Sequence, residues 1–410
     1  MSLIAELYIK LIKNLTINKT KYIFLIFLFS PFLIFIVIIK PVFFVRFGNL
    51  SIQRIGNISS AERYLLDNMY KKRKARSLDI WVIDNYICNK QTLVILKRKF
   101  LIIKELCIFY NVLKLISRYI NIYSKHIIGL TKDHMVDIDK YSCQLNLTRK
   151  EISKGESILK NFGIPKSAKI VCISCRDNLY LKKRYPLKNF SYHSYRDINV
   201  DNYIPAIRAL IKKNYYVVRM GQISNKKINI KSKKFIDYPF HPLKNDFMDF
   251  FFAYKCYFWV CSNTGLDEIA KVFRKPLIDL NMAPLAGLKV TSKKTLLCLK
   301  IHKNYNNKKL SLNEIFDSGV GKSCYSKEFR KKKIILNELT ANQVKAIVLE
   351  MTELMKNSWK IKNKNDLKLQ KKFKKLYLNK VKQIDPKRRY KKFNALYSLT
   401  FLKKNTWFLK

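Results

Sequence analysis

Acidic residues are what this chain lacks most: 28 Asp and Glu stand against 82 Lys and Arg in 410 residues, a formal charge of +54. An imbalance of that size calls for an anionic partner or a compositional cause. Glycine, proline and alanine are scarce too, with ten glycines and ten prolines, while Lys, Ile, Asn, Tyr and Phe abound, as in the products of an AT-rich genome. Part of the charge is therefore composition. A solvated lysine surface competes with anionic lipid, nucleic acid and phosphorylated substrates as its meaning.

Nine cysteines are too few for a disulfide scaffold, and most sit in apolar runs, which suits a reducing compartment. Cys172 and Cys175 form a lone CxxC along an expected strand, where that spacing points them to opposite faces, so they read as strand cysteines rather than zinc or redox ligands. With five scattered histidines and no second CxxC, no metal site is expected. The pair Asp137 and Asp139 is a lone DxD in a lysine-rich loop and is discounted. No nucleic-acid-binding module or aromatic platform is recognisable. What is present, 48% hydrophobic and 13% aromatic residues, argues that most of the chain folds, and its length allows two domains of ordinary size.

Residues 22–39, YIFLIFLFSPFLIFIVII, are apolar enough for a membrane helix, and no Ala-x-Ala cleavage site follows them. Pro31 lies mid-run, so a kinked span, a re-entrant segment and an in-plane anchor are all open, as is a buried core helix. Lysines flank the run on both sides, and the positive-inside rule sets no topology. The expectation is an apolar helix, within a membrane-associated segment 1–41, that holds the protein at the cytosolic face of a membrane.

The chain is organised around residues 256–276, CYFWVCSNTGLDEIAKVFRKP. The aromatic and β-branched run before Cys261 reads as a strand buried on both faces of a parallel sheet. Ser262, Asn263, Thr264 and Gly265 turn the chain closely. Thr264, with Asp267 and Glu268 just beyond, predicts a capped helix ended by Lys275-Pro276. Such a turn offers backbone N–H groups to an anion, although the same residues also serve an ordinary strand-helix-strand unit.

Similar alternation runs through the rest. Strands are expected at 42–47, 78–83, 169–174, 215–219, 235–236 and 277–280, with helices near 61–70, 91–120, 201–213 and 246–254; Thr148 and Glu151 form a capping box. This is the pattern of a doubly wound parallel sheet, whose ligands lie beyond the carboxyl ends of the strands. Arg176 with Asp177, Arg219 with Gly221, and the 262–265 turn each follow an expected strand. Arginines suit a diphosphate because guanidinium forks match phosphate oxygens; each alone is equally a salt-bridged surface residue. Arg219 is expected to line a cleft and carry little packing. Residues 294–330 read as lysine-rich loop, and 361–410 as a basic tail that could form an amphipathic helix for a membrane surface.

Taken together, RIGN (54–57), CRDNLYLK (175–182), SYHSYRD (191–197), NYIPAIRALIKKNYYVVRMG (202–221), IDY (236–238), NTGLD (263–267), FRKP (273–276) and FLKKNTWFL (401–409) resemble a family of bacterial glycosyltransferases of the GT-B class associated with surface polysaccharide synthesis. The likeness is dense over 170–285 and thin before 150. It implies two Rossmann-like domains facing across a cleft, residues 42–164 presenting a glycan or lipid-linked acceptor and residues 165–360 holding a nucleotide-sugar donor. Arg176, Arg219, Gly221 and Ser262 to Gly265 would face the diphosphate, and Arg54, Gly56 and Asn57 would lie on the opposite wall. Many members carry histidine where this chain has Asn57. The candidate bases are then Asp177, His193 and Asp197. No cofactor is implied, since arginines and a helix dipole suffice for a metal-independent transfer. The rival reading is a membrane-associated nucleic-acid- or anion-binding protein without transferase activity.

Overall fold

The computed structural model describes residues 19–70, 76–83, 86–130, 138–262, 264–285, 288, 290, 292–384 and 393–410. It divides into two compact units, Met1–His134 and Met135–Lys410.

The first unit opens with α1 (Lys19–Ile38), followed by β1 (Phe44–Leu50), α2 (Ile58–Tyr70), β2 (Ser77–Ile83), α3 (Lys90–Lys97), β3 (Leu101–Ile102), α4 (Cys107–Ile116) and β4 (Ile127–Ile128). Its four strands form a parallel sheet in the order β3-β2-β1-β4. β1 and β2 stay in register because Trp81 packs directly over Gly48, where a Cβ would collide with the indole. Arg46 on β1 donates to both carboxylate oxygens of Asp79 on β2, from Nε at 2.9 Å and Nη2 at 3.1 Å.

Of the readings open for residues 22–39, α1 tells against the kinked span. Among the described residues, no helix is long and apolar enough to cross a membrane. The apolar helix is present with Pro31 inside it, but one face is docked: Ile26, Leu33 and Ile36 are buried with Phe47, Val82 and Phe109, and the rings of Phe29 and Phe32 meet Phe109 edge-on.

The second unit contains α5 (Arg149–Asn161), β5 (Ile170–Ser174), α6 (Ile204–Lys212), β6 (Tyr216–Met220), β7 (Phe235–Asp237), α7 (Asp246–Lys255), β8 (Phe258–Cys261), α8 (Asp267–Val272) and β9 (Leu277–Met282). It continues with β10 (Thr295–Leu299), β11 (Ile301–Asn304), α9 (Leu312–Asp317), α10 (Ser326–Lys331), β12 (Ile334–Asn337), α11 (Ala341–Lys356), α12 (Lys364–Ile384), β13 (Leu396–Tyr397) and α13 (Leu399–Lys404). Seven strands form one sheet in the order β13-β10-β9-β8-β5-β6-β7, every pair parallel; β11 and β12 pair antiparallel beside it. Every residue of β5, β8, β9 and β10 is buried, as expected of strands covered by helices on both faces.

Three sequence expectations change here. Residues 294–330 hold β10, β11, α9 and all but the last residue of α10, rather than a loop. The boundary between the units falls near residue 135, not at 164. The basic tail belongs to the second unit: α12 buries Phe373, Tyr377 and Val381 in the same core as Leu285, Phe316, Tyr397 and Phe408, and β13 completes the sheet edge. A helix whose apolar stripe is already covered by its own domain keeps only its lysine face for solvent.

Candidate functional site

The register places three strand ends together. Ser174, the last residue of β5, lies opposite Met220 on one side and Cys261 on the other, so the residues just after β5, β6 and β8 emerge at one carboxyl edge. Hydroxyl groups join them. Ser262 Oγ accepts from the Arg176 amide at 3.2 Å and donates to the Ser174 carbonyl at 3.3 Å. Ser174 Oγ accepts from the Trp259 indole N–H at 2.9 Å and lies 3.1 Å from Thr264 Oγ1.

Thr264 does not cap a helix as expected. α8 starts at Asp267 with Leu266 in the capping position, and Thr264 donates instead to the Asp267 carboxylate at 2.8 Å. The Gly265 carbonyl accepts from the Glu268 amide at 3.3 Å. Asn263 lies outside the described residues, as does Asp137. Asp267 is fully buried, and its carboxylate, that of Asp279 and the Cys261 thiol have ligand atoms within 4.8 Å of one another. Cys261 donates its thiol proton to Asp279. This gathering was invisible in the sequence because Cys261 and Asp279 occupy apolar strands as core residues.

Arg176 follows β5 with its side chain largely buried. Its Nε is 3.4 Å from Asp197 Oδ1, with the two side chains 14% and 27% exposed. Burial raises the Asp197 carboxyl above the usual carboxylate range, against the pull of Arg176 and then Lys300. Lys300, at the end of β10, is itself buried, and its ammonium donates to the Asp197 main-chain carbonyl at 2.8 Å. Burial lowers the Lys300 pKa. Lys300 was missed because its surroundings read as loop.

The other predicted bases sit differently. Asp177 is a brace: Oδ1 accepts from the Leu179 amide at 3.0 Å, and Oδ2 from Ser224 Oγ at 2.7 Å and the Asn225 amide at 3.0 Å, tying the loop after β5 to the loop after β6. His193 lies in the 3-10 turn Ser191–Arg196, with its ring parallel to Tyr325 at 6.0 Å and 4.2 Å from that of Tyr192.

Arg219 departs from expectation. It points into the unit at 1% exposure, where Nε donates to Asp237 at 2.6 Å, Nη1 donates to the Lys226 carbonyl at 2.7 Å, and the guanidinium lies 5.4 Å from the Phe240 ring centre. Arg219 therefore joins β6 and β7 and does not line a cleft; Gly221 follows it at the strand end.

Arg54, Gly56 and Asn57 follow β1 at the carboxyl edge of the first unit's sheet. Asn57 Nδ2 donates to the Ser51 carbonyl at 2.8 Å, and the Gly56 carbonyl accepts from Ser59 Oγ at 3.0 Å, so both residues shape their own turn. A surface concavity of 490 Å³ in the second unit is lined by Tyr254, Lys255, Arg274 and Lys275, which precede β8 and β9. It marks the amino edge of that sheet, away from the residues above.

No family model matches the chain, and no curated protein sequence does. Among solved structures it is similar to the ADP-heptose lps heptosyltransferase II of E. coli, at 13% identity and a TM-score of 0.39 over 62% of this chain and 90% of that one. It is also similar to a family 9 glycosyl transferase from Veillonella parvula, at 9% identity and a TM-score of 0.44 over 77% and 98%. The iron-containing dodecameric glycosyltransferase TibC of enterotoxigenic E. coli matches at 12% identity and a TM-score of 0.36 over 77% of each chain. Identities and scores this low leave the function to be argued from the residues themselves.

Proposed function

We propose that the chain is a glycosyltransferase of the GT-B type, moving a sugar from a nucleotide-sugar donor to a glycan or lipid-linked acceptor in surface polysaccharide synthesis at the cytosolic face of a membrane. The observation that carries this reading is the carboxyl edge of the seven-stranded sheet. There Arg176, Ser262, Thr264, Asp197 and Lys300 gather around the ends of β5, β8 and β10.

In this reading Arg176 is the guanidinium that meets the donor diphosphate, and the Ser262 and Thr264 hydroxyls hold the turn that abuts it. Lys300 adds positive charge behind Asp197, so departing diphosphate charge is met by fixed cations. Asp197 is the carboxylate assigned to take the acceptor proton, because burial raises its basicity and Asp177 is fully engaged in bracing two loops. The first unit, ending its own sheet at Arg54, Gly56 and Asn57, is assigned the acceptor.

The test is thermal stabilisation of the full chain by UDP-, GDP-, dTDP- and CMP-sugars. One nucleotide class should raise the melting temperature, and Arg176→Ala should shrink the rise, measured from that variant's own unliganded melting temperature. If no nucleotide-sugar stabilises the protein and radiolabelled sugar never leaves any donor, the reading fails.

A further inference from the structure

α1 has a second face that its own unit leaves uncovered. The buried positions Ile26, Leu33 and Ile36 follow one side of the helix. On the other side Phe24 is 63% exposed, Phe27 74%, Leu28 56%, Phe35 53% and Ile38 69%. At about 100° per residue, positions 24, 27, 28, 35 and 38 fall on one side of the helix, so they form one apolar strip, and no charged side chain interrupts it between 23 and 39. The strip continues into Val42 and Phe43, both exposed just beyond the helix. Beside it, Ile108 is 55% exposed on α4, the helix whose Phe109 packs against α1.

A buried helix would hide all these side chains, and a spanning helix would have no reason to dock one side on a soluble sheet. Docking one face and exposing the other is the geometry of a helix lying along an interface between water and hydrocarbon. Charge identifies the partner. Residues 1–134 hold 22 Lys and Arg against seven Asp and Glu. Lys40 lies at the helix end with its ammonium 5.5 Å from the Phe44 ring centre, and Lys104 is exposed one turn from Ile108. Net positive charge on a unit that exposes an apolar strip complements an anionic lipid headgroup layer over its acyl chains.

We infer that α1 is an in-plane membrane anchor: its Phe24, Phe27, Leu28, Phe35 and Ile38 face enters the headgroup and acyl boundary of an anionic bilayer while its Ile26, Leu33 and Ile36 face stays docked on the first unit. The inference is independent of the transferase reading, since it concerns a surface and not a reaction.

Full-length protein is mixed with vesicles of phosphatidylcholine alone or with phosphatidylglycerol added, and bound protein is separated by flotation. Binding should require phosphatidylglycerol at physiological salt, and the double variant Phe27→Glu, Phe35→Glu should weaken it about tenfold or more. Both side chains are in solvent, so the variant should melt with the parent. Depth then separates lying from spanning. Positions 27 and 35 are about 12 Å apart along a helix axis. Fluorophores on Phe27→Cys and Phe35→Cys, each compared with the unsubstituted protein, should be quenched equally by shallow nitroxide lipids. Unequal depths, binding unchanged in the double variant, or a concentration-dependent dimer that the double variant abolishes without vesicle binding would each overturn the inference.

Discussion

Arg219 and Asp237 form an ion pair of 2.6 Å inside the second unit, with side chains 2% and 8% exposed. The pair bridges neighbouring strands, because Arg219 is opposite Asp237 in the register of β6 and β7. The Asp237 carboxylate also accepts from the Ile228 amide at 2.8 Å, so one acidic group holds a strand and the loop before it.

Removing the arginine should therefore be a folding lesion. Arg219→Ala leaves a buried carboxylate without its cation, and such a loss costs about 3–5 kcal/mol. Urea denaturation would show it as a lowered midpoint. Replacing both members, as Arg219→Met with Asp237→Leu, should recover much of the loss, because the lone charge disappears with its partner. A double variant no more stable than Arg219→Ala would mean that the loop contacts outweigh the pair.

Close packing at a helix crossing gives a second prediction. Gly155 on α5 faces the fully buried Phe251 of α7, and a methyl at that position would overlap the ring. Glycine in a helix interior is ordinarily replaced by alanine with a gain of stability. Here the sign should reverse: Gly155→Ala should cost about 1–3 kcal/mol by overpacking. Adding Phe251→Leu should recover part of that loss in the same denaturation assay.

The elements the sequence predicts well are those whose own residues decide them. β5 and β8 are largely apolar runs, β9 is apolar around Asp279 and Asn281, and all three appear within a residue or two of expectation; the Thr148 and Glu151 capping box makes both of its bonds. Elements decided by distant partners were not legible. α12 carries so many lysines that it read as a basic amphipathic helix for a membrane surface, yet Phe373, Tyr377 and Val381 recur every four residues and meet a core built by Phe316 and Tyr397. Arg219 looked like a cleft residue because the sequence does not show that Asp237 lies opposite it. Thr264 looked like a helix cap, but the Asp267 carboxylate captures its hydroxyl proton. Lys300 gave no signal, since only the packing of β10 brings its ammonium to Asp197.

His302 makes acid stability testable. It is fully buried on β11, with its Nδ1 3.0 Å from the Lys300 carbonyl, and burial pushes its pKa down to about 4. In the unfolded chain it takes a proton near pH 6.5. Above that pH it is neutral in both states and its contribution is complete. As pH falls from about 6.5 toward 4 the unfolded chain binds the proton first, so stability is lost by up to roughly 3 kcal/mol. His302→Gln should flatten the stability curve between those limits, as read from urea midpoints at each pH. Equal slopes in variant and parent would remove His302 as the cause.

The last prediction separates the two charges at the candidate site. Arg176 and Asp197 lie 3.4 Å apart, and the proposed mechanism gives them different work. Losing a charge-assisted contact to a diphosphate costs about 1.5–3 kcal/mol, so Arg176→Ala should weaken donor affinity roughly ten- to a hundredfold. Asp197→Asn preserves shape but cannot accept a proton, so it should lower kcat by about a hundredfold or more with a much smaller change in donor affinity. The base must be ionised to work, so activity should fall as pH drops through its pKa. Burial places that pKa above the ordinary value of 3.8. The acid limb of the rate profile should therefore begin higher than for an exposed carboxylate, and it should vanish in Asp197→Asn. If Asp197→Asn instead loses donor affinity as Arg176→Ala does and keeps its acid limb, Asp197 serves only to hold the arginine, and the base lies elsewhere.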